Sequence, residues 1–224
     1  MEKVSSRIAA LEESQTIAMS QKSRELAAQG IDVVNLSLGE PDFFTPDFIK
    51  EAAKRAIDEN FSFYPPVSGY KDLLEAICGK LKRENNLSFT PDQVVVSAGA
   101  KHSLSNVLMC VVEKDDEVVV PAPYWVSYVE LIKLAEGRSV IIPTTLENDF
   151  KITPQQLEAA ITPKTRALLF CSPSNPTGSV YSKAELEAIA RVVEQHPNII
   201  VISDEIYEHI NFVGKHESIA QFDS

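Results

Sequence analysis

Ala167-Leu168-Leu169-Phe170-Cys171-Ser172-Pro173-Ser174-Asn175-Pro176-Thr177-Gly178 decides the fold when read with Ile199-Ile200-Val201-Ile202-Ser203-Asp204-Glu205-Ile206-Tyr207. Each stretch is a short apolar run that breaks off into polar residues, the pattern of a buried strand. Between them Ser182 precedes Glu185 by three residues, a capping-box spacing. Leu186, Ile189, Ala190 and Val193 follow at helical intervals. The order strand, helix, strand predicts a βαβ unit with parallel strands whose carboxyl ends lie at one edge of a sheet. Asn175 and Asp204, 29 positions apart, are thereby delivered to the edge where open α/β sheets bind ligands. Such a pair suits a small, polar, cationic group.

The pattern extends on both sides. Strands are expected near 94–97, 117–120 and 138–142 as well as 167–171 and 199–203, with helices between most of them. This predicts a doubly wound α/β domain, a mostly parallel sheet with flanking helices. That domain spans residues 45–224. Residues 1–44 precede it as an arm and part of a smaller domain. An amphipathic helix is expected from about Ser14 to Gln29, ended by Gly30. The run Val33 to Leu38 then leads into the turn Gly39-Glu40-Pro41-Asp42. Thr45-Pro46 and Thr153-Pro154 each read as an N-cap followed by proline at the first helical position. Ile49, Ala52, Ala53, Ala56 and Ile57 form the predicted buried stripe of the first of those helices, and another helix is expected from about Gly69 to Asn85.

Bulk properties exclude several classes of function. A net charge of −11 without clustered cations argues against nucleic acid. It leaves an anionic small ligand open, because local backbone dipoles outweigh global charge at a site. Cys78, Cys110 and Cys171 are odd in number and lack CxxC spacing, as expected of a cytoplasmic protein. The beginning of the chain has no signal-peptide core, and no apolar run reaches membrane-spanning length. The four histidines show no ligand spacing, so no metal is expected.

Ser97-Ala98-Gly99-Ala100-Lys101-His102-Ser103 follows an apolar run and starts a helix. Its small residues and free helix N-terminal amides could cradle an anion, or the stretch could be a plain strand-to-helix turn. Trp125, the only tryptophan, follows a predicted strand in Pro121-Ala122-Pro123-Tyr124-Trp125. Asp204 could equally be a helix N-cap at a strand end.

With Ser172–Gly178, Ser203–Ile210, Gly39–Asp42 and Pro123–Trp125 in this order, the chain resembles the class I aminotransferases. These are pyridoxal-phosphate enzymes of fold type I, and the similarity is to their prokaryotic aspartate aminotransferase subgroup. It covers nearly the whole chain from the first helix onward. The resemblance implies the fold type I large domain, here incomplete, and the cofactor pyridoxal 5′-phosphate. Gly99, Ala100 and Lys101 are then cofactor-binding, holding the phosphate, and Trp125 stacks on the pyridine ring. Asp204 meets the ring nitrogen, while Asn175 and Tyr207 hydrogen-bond the ring's 3′ oxygen. Asp204 and Tyr207 are the catalytic candidates. Gly39, Trp125, Asn175 and Lys101 are implied on the substrate side, Lys101 toward a side-chain carboxylate. Tyr64, in Phe61-Ser62-Phe63-Tyr64-Pro65-Pro66, is implied to reach the cofactor phosphate of a partner subunit in a homodimer.

The implied reaction moves an amino group from an amino acid, aspartate foremost, to a 2-oxo acid. The Schiff-base lysine of the resembling family, and the arginines that accompany it, are expected beyond Ser224, so the 224 residues alone are expected to be inactive. The family's seven-stranded sheet is expected to place two further strands between the 94–97 strand and the 167–171 strand. Cis peptide bonds are expected at Ala122-Pro123 and Asn175-Pro176. Two other readings stand beside this one, a fold type I β-lyase with the same cofactor and a non-catalytic interaction protein on the same scaffold.

Overall fold

A computed structural model describes residues 4–12, 15–36 and 39–222. Four strands form one sheet: β1 (Glu117–Ala122), β2 (Arg138–Pro143), β3 (Thr165–Cys171) and β4 (Ile200–Asp204). Their order is β2-β1-β3-β4 and every pairing is parallel. All four carboxyl ends therefore share one edge, with Cys171 of β3 in register with Asp204 of β4. Three helices make the crossovers: α6 (Ser127–Leu134), α7 (Pro154–Ala160) and α8 (Lys183–Val193). Upstream lie α1 (Ser6–Ala9), α2 (Gln15–Ala28), α3 (Asp47–Asp58), α4 (Lys71–Lys80) and α5 (Ala100–Val111).

The alternation of side chains along the strands makes two cores, one on each face of the sheet. Val118 and Val120 of β1, with Ala167 and Leu169 of β3, pack against Leu104 and Leu108 of α5 and Tyr128 and Ile132 of α6. Val119, Leu168 and Phe170 face the other way, onto Leu157 of α7 and Leu186 and Ile189 of α8. The central strands are covered on both sides, which is why β1 and β3 read as continuous apolar runs.

The predicted caps of the later helices are present. Thr153 and Gln156 close a capping box on α7, with Pro154 at its first position, and Ser182 and Glu185 do the same for α8. At the N-terminal end of α3 the prediction fails in part. The helix starts at Asp47 with Pro46 as its cap and no side-chain cap bond, so Thr45 does not serve. The stripe predicted as buried is not. Ile49 and Ile57 are exposed and α3 has no buried residue, so the stripe stays largely uncovered among the described residues. The predicted N-terminal helix is present as α2, although its predicted start at Ser14 lies outside the described residues, as do Ser37 and Leu38. Gly30 follows it at φ +81°.

Residues 94–97, expected as a strand, are extended but belong to no sheet. Val96 N–H donates to the Ser68 carbonyl at 2.8 Å, and one such bond is not a ladder. Among the described residues nothing offers this segment a neighbouring strand. For the two further strands expected between the 94–97 and 167–171 segments, the place directly beside β3 is already taken. β3 is hydrogen-bonded on one side to β1 and on the other to β4, so no strand can enter beside it. The unpaired edge on that side of the sheet belongs to β4. The bonds before Pro123 and Pro176 are cis as expected, and so is the one before Pro173.

Candidate active site

Strand order locates the site before any side chain is considered. From β1 the chain steps outward to β2, then crosses back to place β3 on the other flank of β1. That reversal is a switch point, where an open parallel sheet leaves a crevice at its carboxyl edge. The two strands also part early. Their pairing ends at Val119 opposite Leu168, and Pro121 has no N–H to offer. A cavity of about 20 Å³ lies in the opening, lined in part by Pro121, Pro123, Tyr128, Cys171 and Asn175.

Five elements deliver polar groups to this edge. Gly99, at φ +88°, turns the chain into α5. The amides of His102 and Ser103 donate back to the Gly99 carbonyl at 3.1 and 3.3 Å, whereas those of Ala100 and Lys101 have no backbone acceptor among the described residues. His102 supports the turn from within, its Nδ1 accepting the Ala98 N–H at 3.1 Å. The Lys101 ammonium lies over the Trp125 indole, 4.7 Å from its centroid, a cation–π arrangement. Trp125 meets Tyr128 edge-on, with ring centroids 5.6 Å apart.

Tyr128 then donates its hydroxyl to Asp204 Oδ2 at 2.7 Å. The other carboxylate oxygen accepts the Ile206 N–H at 3.2 Å. Asn175 Nδ2 donates to the Tyr207 hydroxyl oxygen at 3.3 Å, which leaves the tyrosine proton available for another acceptor. The loop after β3 is closed on itself, with Ser174 N–H donating to Ser179 O at 2.9 Å and Gly178 N–H to Ser174 O at 2.8 Å. Gly178 sits at φ +74°, a conformation a side chain would strain.

Electrostatics set the protonation of the buried members. Burial first, then the neighbouring Cys171 and Asp204, push the Tyr128 hydroxyl far above the ordinary phenol range, so it remains a donor. Burial and the Asp204 charge push the Cys171 thiol up to about 11, which makes it unreactive. Asp204 itself is buried and holds two neutral donors, with no ion pair to any cation among the described residues. A buried carboxylate in that position is incomplete without a positive partner.

The predicted residues thus fall into two sets. Gly99, Ala100, Lys101, Trp125, Asp204, Tyr207 and Asn175 gather at one edge, linked by contacts or by the β3–β4 register. Gly39 and Tyr64 are not among them. Both are exposed, Tyr64 wholly so, and no hydrogen bond or ring contact joins either to the others. Tyr128 is the member the sequence reading missed. Its signal was available, since it follows Trp125 by three residues at the start of α6, a spacing that puts two aromatic rings side by side.

Residues 31–222 match the model of the family described as aminotransferase class I and II. The chain belongs to this family. It is 51% identical over 209 residues to an aspartate/prephenate aminotransferase of Cereibacter sphaeroides, covering 93% of the chain and 52% of that protein. An aspartate aminotransferase of Bacillus subtilis is 46% identical over 220 residues, covering 98% of the chain and 56% of that protein. The structure of an aspartate aminotransferase from Thermus thermophilus with maleate superposes with a TM-score of 0.95 at 44% identity, over 99% of this chain and 58% of that one. The chain therefore spans about half the length of the aminotransferases it matches. The cofactor of the family is pyridoxal 5′-phosphate. The residues present fit it: a buried carboxylate lacking a cation suits a protonated pyridine nitrogen, and free amides at the start of α5 suit a phosphate.

Proposed function

We propose that the protein is a pyridoxal-phosphate-dependent aminotransferase that moves an amino group from aspartate, or another acidic amino acid, to a 2-oxo acid. The observation that carries this reading is the unbroken series of contacts Lys101, Trp125, Tyr128, Asp204 along one sheet edge, beside the Asn175–Tyr207 pair. No single motif match would place those side chains together.

The free backbone amides of Ala100 and Lys101 bind the cofactor phosphate. Gly99, whose own N–H is held by the Ser97 carbonyl at 2.9 Å, lets the phosphate approach closely. Trp125 restrains the tilt of the cofactor ring. Tyr128 keeps one oxygen of Asp204 engaged, and the carboxylate holds a proton on the ring nitrogen by favouring the charged form. Bound there, pyridoxal phosphate supplies an electron sink for the negative charge left when an amino acid loses its α-proton. Asn175 donates to the Tyr207 hydroxyl, which leaves the tyrosine proton free to be offered to the ring oxygen. On the substrate side Lys101 supplies the cation for a side-chain carboxylate, with Gly39, Trp125 and Asn175 around the α-carboxylate. Tyr64 serves the phosphate of the neighbouring subunit in a homodimer. Three free thiols are consistent with a cytoplasmic setting, and no described helix is long and apolar enough to cross a membrane.

The deciding experiment incubates the full-length protein with aspartate, 2-oxoglutarate and the cofactor. Oxaloacetate and glutamate formed in equal amounts support the reading. Pyruvate, ammonia and a free thiol released instead from an amino acid with a sulfur leaving group at Cβ, such as cystathionine, would identify a β-lyase, and no product with any amino donor would leave only a binding scaffold.

A further inference from the structure

The segment that carries Tyr207 is neither helix nor strand. β4 ends at Asp204, and only two backbone bonds close the turn after it: Glu208 N–H to Glu205 O at 3.0 Å and Ile210 N–H to Tyr207 O at 2.8 Å. A turn so lightly bonded holds a side chain in place only through the groups that grip it from outside. At its start, Glu205 accepts from the Ser203 and Ser218 hydroxyls at 2.8 and 2.7 Å and pairs with His216 Nε2 at 2.9 Å. At its end, Glu208 meets residues more than a hundred positions away. Asn85 Nδ2 donates to Glu208 Oε2 at 2.8 Å, and the Lys80 ammonium pairs with Oε1.

The way Lys80 and Asn85 come to act together is unusual. Leu81–Asn85, directly after α4, is a π-helical turn, ended by Asn86 at φ +58°. In an α-helix, residues five apart differ in direction by about 140°. In a π-helix, with its i→i+5 bonding and wider turn, they come round to the same side. Lys80 and Asn85 are five apart, and the Lys80 ammonium donates to Asn85 Oδ1 at 2.8 Å. The charged groups facing Glu208 are Lys80, His209 at 3.2 Å and, through Lys80, Glu84 at 3.9 Å. Both Lys80 and Glu208 are largely shielded, at 25% and 19% side-chain exposure. Burial works against the Glu208 carboxylate, but Lys80 and Asn85 overcome it and hold the group below the usual range.

We propose that Lys80, Asn85 and Glu208 are positioning residues, a clamp that fixes the Tyr207 turn so that the tyrosine hydroxyl meets the cofactor's ring oxygen. The clamp rests on the reading of Tyr207 given above. A hydroxyl that donates to the ring oxygen favours its anionic form, so losing that donor raises the pH midpoint of the bound cofactor's visible absorbance.

The test uses the full-length protein and four variants: Tyr207→Phe, Glu208→Ala, Asn85→Ala and the double variant Tyr207→Phe/Glu208→Ala. Tyr207→Phe should raise the absorbance midpoint by about one pH unit, the change expected for one ordinary hydrogen bond. Glu208→Ala should move it the same way, and the double variant should match Tyr207→Phe alone, because the clamp acts only through the tyrosine. In cofactor-free protein, Glu208→Ala should speed hydrogen exchange of the 205–210 amides. A normal midpoint in Glu208→Ala while Tyr207→Phe shifts would overturn the clamp, as would additive shifts in the double variant. An unshifted midpoint in Tyr207→Phe would overturn the reading of Tyr207, and the clamp with it. If Glu208→Ala does not fold, Asn85→Ala carries the same expectations, having lost one of the two donors.

Discussion

Asp204 and Tyr128 show how a site is divided between residues that meet the ligand and residues that hold them. Asp204→Ala in the full-length protein should lower turnover by about 10²- to 10³-fold, the usual effect of deleting one oriented electrostatic group. Cofactor should still bind, more weakly, because the amides at the start of α5 are untouched. Steady-state rates and a cofactor titration check both halves of this expectation. Tyr128→Phe removes the only side-chain donor to Asp204 among the described residues. It should cost about 1–3 kcal/mol in cofactor affinity, the penalty of a buried polar group left unmatched, with the fold intact because the ring stays packed. Turnover falling as far as in Asp204→Ala would show instead that the tyrosine touches the reacting atoms. At this scale the sequence announced groups that lie near each other along the chain or follow strand ends. It announced less well a partner recruited from another strand–helix unit, which is why Asp204 was legible and its bond to Tyr128 was not.

Single elements were legible where local chemistry suffices. The capping boxes of α7 and α8 depend on residues three apart, so the patterns at Thr153 and Ser182 translated directly into structure. The α3 stripe depended on a covering element, and periodicity says that a face is apolar without saying what covers it. The extended 94–97 segment failed similarly, since β conformation is local and pairing is not. α8 offers two measurements. Ser182→Ala should cost about 1 kcal/mol of stability in denaturant unfolding. Burial alone would raise the Glu185 carboxyl, but Ser182 and Lys151 outweigh it and hold the group below its ordinary value. A carboxyl lowered in the folded state adds stability above its unfolded pKa, about 4.3, and forfeits it as pH falls through the folded value. Glu185→Gln should therefore reduce stability near neutrality and flatten its loss in acid. An equal slope in both proteins below about pH 4 would contradict this.

The whole molecule is where single-chain reading stops. Tyr64 is fully exposed in an aromatic, proline-rich loop, and Phe43, Phe44 and Phe63 are largely exposed as well. Apolar surface of this kind is an interface in waiting. We expect a C2 homodimer in which one patch is used twice and each Tyr64 serves the other subunit. Tyr64→Phe mixed with Asp204→Ala should then form hybrids in which one site carries both lesions and the other neither. That second site should work at the wild-type rate. An active monomer in sedimentation, or inactive hybrids of confirmed mass, would refute the shared arrangement.

The opening between β1 and β3 has a further consequence for how such a protein can diverge. It exists because of the order in which strands are visited and because their pairing lapses after Val119. No exchange of one amino acid rewires that order, whereas one exchange at Asp204 removes the charge that makes the place useful. The opening is therefore the durable feature and the charge beside it the fragile one. A variant altered at Asp204 should keep the opening between the two strands, and with it a place where a small ligand can lodge.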